Sequence, residues 1–194
     1  EPVTTHTKRY VRSFWALDAS RAQARFYPAI HPLQSYSQDI DVLTPFWTEV
    51  GNPQWPEQRR HFLGLLEEQA KLERMARIVG KDALPPRQQH VLLCADLINE
   101  AFLRQSAFSV NDRYASAAKQ AAMMQLIDRF IGLSADAVAA GASVEDIGAM
   151  PVMRQLRRMG EEISSDDPEK FDVIGKSLES AFMHITTGGA DHAG

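Results

Sequence analysis

The sequence has 194 residues, of which 44% are hydrophobic and 24% charged, and this length and composition fit one folded domain or one domain with part of another. The net charge of -4 comes without a basic stripe, and no apolar run approaches the ~18 residues of a membrane-spanning helix, so neither nucleic-acid binding nor direct membrane insertion is expected. Cys94 is the single cysteine, which excludes an internal disulfide and suits a reducing cytoplasm. The first residues are polar, lack a signal-peptide pattern and do not begin with Met, so we expect a piece of a longer cytoplasmic protein.

The N-terminal part contains a predicted strand and a linker. Residues 10–17 are rich in aromatic and β-branched side chains and end at Asp18, which predicts a buried strand entering a loop. No pairing strand is evident, so this strand is expected to belong to a larger sheet domain or to be built differently. Prolines recur through residues 28–56 and predict loop or short helix there, because proline fixes φ and removes a donor.

A helical hairpin follows the linker. Pro56 can open a first helix and Gly80 fits its end, while the Pro85-Pro86 pair can open a second helix after a loop at residues 81–84. Apolar side chains recur at helical spacing along both helices: Phe62, Leu65, Leu66, Leu72, Ala76 and Val79 in the first, and Val91, Cys94, Ala95, Ile98 and Phe102 in the second.

The remaining sequence predicts four more helices. A third helix is expected over residues 116–131 with Gly132 closing it, a start signal lies at residues 143–146, and Pro151 opens a helix through Met159. The last helix follows the acidic residues and proline at 166–169, and its apolar stripe is Phe171, Ile174, Leu178, Phe182 and Ile185. The fold class is therefore mainly α. We assign residues 1–44 to the strand-bearing part and linker, 45–186 to a helical bundle and 187–194 to a disordered tail.

Local motifs for catalysis and metal binding have plain structural explanations. Residues 175–177 read Gly-Lys-Ser, but a phosphate-binding loop needs another glycine where Lys170 stands, so a helical face is predicted. The six histidines show no short ligand spacing, and the acidic pairs at 67–68 and 161–162 fit solvated helix faces. Met123 and Met124 are predicted core residues. No catalytic residue and no metal ligand is therefore predicted.

A series of segments resembles one protein family, the catalytic A subunits of V/A-type ATP synthases. The matching segments occur in the family's order and reach from the N-terminus to about Ile185: FWALDAS at 14–20, RFYPAI at 25–30, LQSYS at 33–37, IVGKDALP at 78–85, EAFLRQSAF at 100–108 and SVEDI at 143–147. The resemblance implies the C-terminal part of such a protein, with an α-helical bundle behind a short remnant of the nucleotide-binding α/β domain. Ala29 favours a catalytic subunit over the non-catalytic B subunit, which usually has a second proline there.

The resemblance also implies an adenine pocket. Tyr27, with its ring held by Pro28, would stack on adenine, and Gln105, Ala107 and Phe108 would form a second wall. The alternative is that Tyr27 and Phe108 are core aromatics with no ligand.

Cofactors and partners follow from the same resemblance. ATP or ADP would touch this chain only through adenine, because the phosphate loop, the acid that holds Mg²⁺ and the water-positioning residue lie upstream of Glu1 in the family. The implied partners are B subunits in an alternating hexamer and the central-stalk rotor, which the loop at residues 81–87 would touch. The implied location is the cytoplasm, peripheral to the membrane, and the isolated chain is expected to be inactive. The alternative function is a stand-alone helical interaction module that binds no nucleotide.

Overall fold

The computed structural model describes His6 and residues 10–188, and within them helices predominate, which confirms the mainly α fold class. The strands are β1 (Ser13–Phe14) and β2 (Tyr36–Ser37). The α-helices are α1 (Ala19–Gln23), α2 (Thr44–Glu49), α3 (Trp55–Val79), α4 (Pro86–Ile98), α5 (Ala117–Ala139), α6 (Val144–Ala149), α7 (Pro151–Glu162) and α8 (Glu169–Gly188). Short 3₁₀ turns lie at Asp41–Leu43 and Lys81–Ala83, and a π-helical turn at Asn99–Leu103 continues α4.

The predicted N-terminal strand exists but is paired and largely exposed. β1 pairs antiparallel with β2, with Ser13 opposite Ser37 and Phe14 opposite Tyr36, so its partner comes from the proline-rich linker of the same chain. The prediction of a buried strand is wrong, since Trp15 and Leu17 are 73% and 85% exposed. Side chains alternate across a strand, so the face that carries the buried Ala16 turns inward while Trp15 and Leu17 turn away.

The helical hairpin is confirmed. Pro56 lies in the first turn of α3, where its missing N–H costs nothing, and Gly80 ends the helix with φ at +89°, a conformation that side-chain-bearing residues rarely adopt. After the 3₁₀ turn, α4 opens at Pro86 as predicted. Helix α4 packs against both α3 and α5, and α8 packs against α5 and α7, so α4 and α5 carry much of the common core.

The third helix is longer than predicted, because it passes through Gly132 and ends at Ala139. A Cβ at Gly132 would meet nothing within 4 Å, so this glycine neither breaks the helix nor relieves crowding. The buried stripe of Ile131 continues at Ser134 and Ala137, and their packing outweighs the weak helix propensity of one glycine. The helix stops before Gly141, where φ is +99°.

The other predicted helices are confirmed. Ser143 caps α6 by accepting a hydrogen bond from Asp146 N at 3.4 Å, α7 opens at Pro151, and residues 175–177 lie inside α8. Helix α8 continues to Gly188, and residues 189–194 of the predicted disordered tail lie outside the described residues. Among the residues the model describes, no helix has the length and apolarity needed to cross a membrane.

A polar cluster lies within the core between α4 and α5. The hydroxyl of Ser134 donates to Ile131 O at 3.1 Å, so its oxygen accepts from His90 Nε2 at 2.7 Å. Cys94 Sγ lies 3.2 Å from the same nitrogen, and burial raises the pKa of its thiol to about 12. Burial, assisted by the charge of His61, lowers the pKa of His90, so the core holds neutral imidazole and a neutral thiol.

We expect His90 to make the bundle less stable in mild acid. Its pKa is lower folded than unfolded, so below the unfolded value of about 6.5 the unfolded chain binds the extra proton and stability falls as the pH decreases. One such group changes the free energy of unfolding by at most about 1.4 kcal/mol per pH unit. Urea titrations between pH 5 and 7.5 should therefore show a weaker pH dependence for His90→Gln, and an unaltered one for the exposed His184→Gln. Equal pH dependence in all three proteins would contradict this assignment.

Candidate functional site

Residues 18–29 form a closed loop that carries α1 and Tyr27. Three backbone contacts close its base: an antiparallel bridge between Leu17 and Ile30, a hydrogen bond from Asp18 N to Ala29 O at 2.9 Å, and one from His31 N to Ala16 O at 2.8 Å. The loop therefore leaves the β1–β2 ribbon and returns to it, which fixes Tyr27 and Pro28 close to the ribbon.

Asp18 fixes the start of α1. Its Oδ1 accepts hydrogen bonds from Ser20 Oγ at 2.6 Å, Ser20 N at 2.8 Å and Arg21 N at 3.2 Å. The bond from the Ser20 hydroxyl is the main reason that the pKa of Asp18 is lowered, with burial opposing it and the two backbone bonds adding to it. An ionised carboxylate at this helix start stiffens the loop that bears Tyr27.

The structure brings two of the predicted pocket residues into direct contact. Gln105 N donates a hydrogen bond to Tyr27 O at 2.8 Å, so the two segments named from sequence are neighbours. Tyr27 is 54% exposed and Phe108 is 99% exposed, and Ala107 is exposed between Gln105 and Phe108. The alternative that Tyr27 and Phe108 are core aromatics therefore fails. Their role towards adenine stays a prediction.

The second segment is oriented by Asp112. Gln105 Nε2 donates to Asp112 O at 2.7 Å, and Ser106 N donates to Asp112 Oδ2 at 2.5 Å. Asp112 is itself buried. The amide of Gln105 is thus held by its nitrogen, and its orientation is set by the protein.

A buried lysine ties this segment to the helical bundle. Lys119 is 2% exposed, and its Nζ donates to Asn111 O at 2.6 Å and to Gly160 O and Ile163 O at 2.7 Å each. The last two carbonyls close the C-terminal end of α7, where a positive charge is favourable. Burial lowers the pKa of Lys119, and the charge of Asp112 opposes that shift. We name Asp112 and Lys119 the loop lock, because they hold the Gln105 segment on α7.

Sequence reasoning missed the loop lock, although one signal was available. Lys119 lies in the first turn of α5, and a cation there faces the positive end of the helix dipole. A lysine in that position without a nearby acidic side chain in its own turn indicates a specific partner elsewhere. The carbonyls of Gly160 and Ile163 are that partner, and they are more than 40 residues away in sequence.

The chemistry of the arrangement is that of ring binding. Two exposed aromatic faces, Tyr27 and Phe108, and the small side chain of Ala107 suit the stacking of a planar ring, and the Gln105 carbonyl oxygen can accept a hydrogen bond. Within residues 10–188 and His6, no group of three or more His, Cys, Asp or Glu side chains is placed to hold a metal ion.

The fold defines a helical domain built on a long antiparallel hairpin, with a small ribbon docked at its side. Comparison with known proteins makes this class specific. Residues 44–147 match the model of the C-terminal domain of V and A type ATP synthase, so the chain belongs to that family. This finding confirms the resemblance inferred from the ordered motifs.

Relatives of the chain share one name, that of the A subunit of A-type ATP synthases. The protein of Thermococcus onnurineus is 41% identical over 159 residues, which is 82% of this chain and 27% of the relative. That of Ignicoccus hospitalis is 38% identical over 179 residues, 92% of this chain and 29% of the relative. The chain thus spans little more than a quarter of these relatives. The family assignment supports a domain of such a protein rather than the stand-alone helical module.

Proposed function

We propose that the chain is the C-terminal domain of the catalytic subunit of a rotary V/A-type ATP synthase, which couples ATP synthesis or hydrolysis to the transport of protons or sodium ions. In this role Tyr27, Pro28, Gln105, Ala107 and Phe108 line the adenine of ATP or ADP. The observation that carries the proposal is the hydrogen bond between Gln105 N and Tyr27 O, because it unites two segments that bear exposed aromatic rings.

Each wall of the proposed pocket has a physical task. The Tyr27 ring offers a rigid face whose stacking on a nucleobase is worth about 1 to 3 kcal/mol. The oriented Gln105 amide offers its carbonyl oxygen to the amino group of adenine, and Ala107 leaves room for the ring. The phosphates and Mg²⁺ would be bound by other parts of the parent subunit, so the isolated chain binds adenine and does not turn over ATP.

The proposed partners are B subunits in an alternating hexamer and the central-stalk rotor, with the complex in the cytoplasm and peripheral to the membrane. The hairpin loop supports a rotor contact. Most of residues 81–87 are exposed, while Leu84 is buried and its carbonyl accepts from Gln89 Nε2 at 2.8 Å. A tip that is anchored at its base and exposed at its end can transmit a push.

Replacing Tyr27 tests the adenine pocket. Tyr27→Ala in the full subunit should weaken binding of a fluorescent ADP analogue by about 5- to 150-fold, because about 1 to 3 kcal/mol of stacking is lost. Tyr27→Phe keeps the ring and should bind nearly as well. The control is Tyr10→Ala, since Tyr10 is 76% exposed and belongs to neither pocket segment. Unchanged affinity in Tyr27→Ala would show that the ring contacts no nucleotide, and gross unfolding would show that it has a structural role.

A further inference from the structure

Arg21 lies at the junction between the Tyr27 loop and the helical hairpin. Its guanidinium group lies 4.4 Å from the ring centroid of Phe26, its Nε is 3.8 Å from Asp18 Oδ2, and its Nη2 donates to Asn99 Oδ1 at 2.8 Å. The side chain is 17% exposed. Two contacts lie within the loop and the third reaches the π-helical turn after α4, so Arg21 holds the loop against the hairpin.

Asn99 continues this contact into the hairpin. Its Nδ2 donates to Gln69 Oε1 on α3 at 3.0 Å and to Ala95 O at 3.0 Å. Gln69 Nε2 in turn donates to Asp96 Oδ1 at 2.6 Å, and Asp96 Oδ2 is 3.9 Å from Lys81 Nζ in the hairpin loop. A line of polar contacts therefore runs from α1 to the tip of the hairpin.

The hydrogen bonds in this line all point the same way. The guanidinium donates to the oxygen of Asn99, each amide accepts with its oxygen and donates with its nitrogen, and the carboxylate of Asp96 accepts at the end. Such chains strengthen each member by polarisation, more so away from water, and Gln69 in the middle is 8% exposed. The two amides have one consistent orientation, which a displaced Arg21 would no longer enforce.

The π-helical turn is held at both ends by the Tyr27 loop. Asn99 at its start contacts Arg21, and Gln105 just after it donates to Tyr27 O. Turns of this kind interrupt regular helices and are frequent at functional sites. Movement of the loop therefore acts directly on the end of α4.

We propose that Arg21 is a positioning residue for the Tyr27 loop and that Asn99, Gln69 and Asp96 connect it to the hairpin loop at Lys81, so that the position of one loop biases the other. The inference rests on the proposed function for its ligand, because an adenine nucleotide is what would shift the Tyr27 loop. The line of hydrogen bonds itself exists without nucleotide.

Hydrogen exchange on the full chain without nucleotide tests the connection. Arg21→Met keeps the side-chain length but removes the donors, and the backbone amides of residues 81–84 and 96–99 should then exchange faster, on the order of tenfold. The matched control is Arg60→Met, since Arg60 is 72% exposed and pairs with Glu57 on its own helix. Faster exchange confined to residues 18–31 would overturn the proposal, as would equal acceleration of residues 81–84 in the control.

A second variant separates positioning from plain stability. Gln69→Met breaks the middle of the line without touching Tyr27 or the Gln105 segment, and it should weaken binding of a fluorescent ADP analogue several-fold in a protein whose melting temperature shows it to be folded. Unchanged ADP affinity together with unchanged exchange at residues 81–84 would overturn the proposal. If the wild type binds no ADP at all, the proposed adenine pocket is wrong, and the exchange comparison alone then decides whether Arg21 and the hairpin loop are connected.

Discussion

Lys119→Met should lower the free energy of unfolding by about 3 to 5 kcal/mol, because a buried charge is removed while its partners stay buried. Three carbonyls, those of Asn111, Gly160 and Ile163, lose their donor, and the buried Asp112 carboxylate loses a cationic neighbour. Chemical denaturation followed by circular dichroism measures the loss.

The control for this prediction is Lys170→Met. Lys170 is 58% exposed and pairs with Asp167 at 2.6 Å on the surface, so its loss should cost about 0 to 1 kcal/mol. The Lys119 variant should also loosen the Gln105 segment, because Asp112 holds Gln105 and Ser106. Similar small effects in both variants would show that the loop lock stabilises neither α7 nor the proposed pocket.

Phe130→Ala should lower the free energy of unfolding by about 3 to 5 kcal/mol, since the lost ring leaves a cavity in a close-packed core. Phe130 is 0% exposed, and its ring centroid lies 5.9 Å from that of Phe182, so it joins α5 to the last helix. The measurement is the midpoint and slope of a urea titration.

Val173→Ala on α8 is the matched control. Val173 is 60% exposed, and surface substitutions of this kind usually change stability by less than about 0.5 kcal/mol. A small effect of Phe130→Ala, or a separate early transition for α8, would mean that the last helix does not fold cooperatively with the rest of the bundle.

The sequence determined the hairpin and the family because their signals are local. Pro56, Gly80 and Pro86 act on backbone torsions of their own neighbourhood, so the limits of α3 and the start of α4 could be predicted to within one or two residues. The ordered motifs were likewise visible as strings, and they placed Tyr27 and Gln105 in one predicted pocket before any contact between them was known.

Tertiary structure decided what depends on distant partners. The strand β2 gains its conformation by pairing with β1, and Gly132 stays helical because the stripe around it is buried, neither of which local propensity can show. The same holds for Lys119, whose carbonyl partners on α7 lie more than 40 residues away, and for Arg21, whose partner Asn99 lies 78 residues away. A buried cation is tolerated in its place only once the folded chain has brought carbonyl or amide oxygens to it, so its role exists in the packed structure and has no counterpart in the neighbouring sequence.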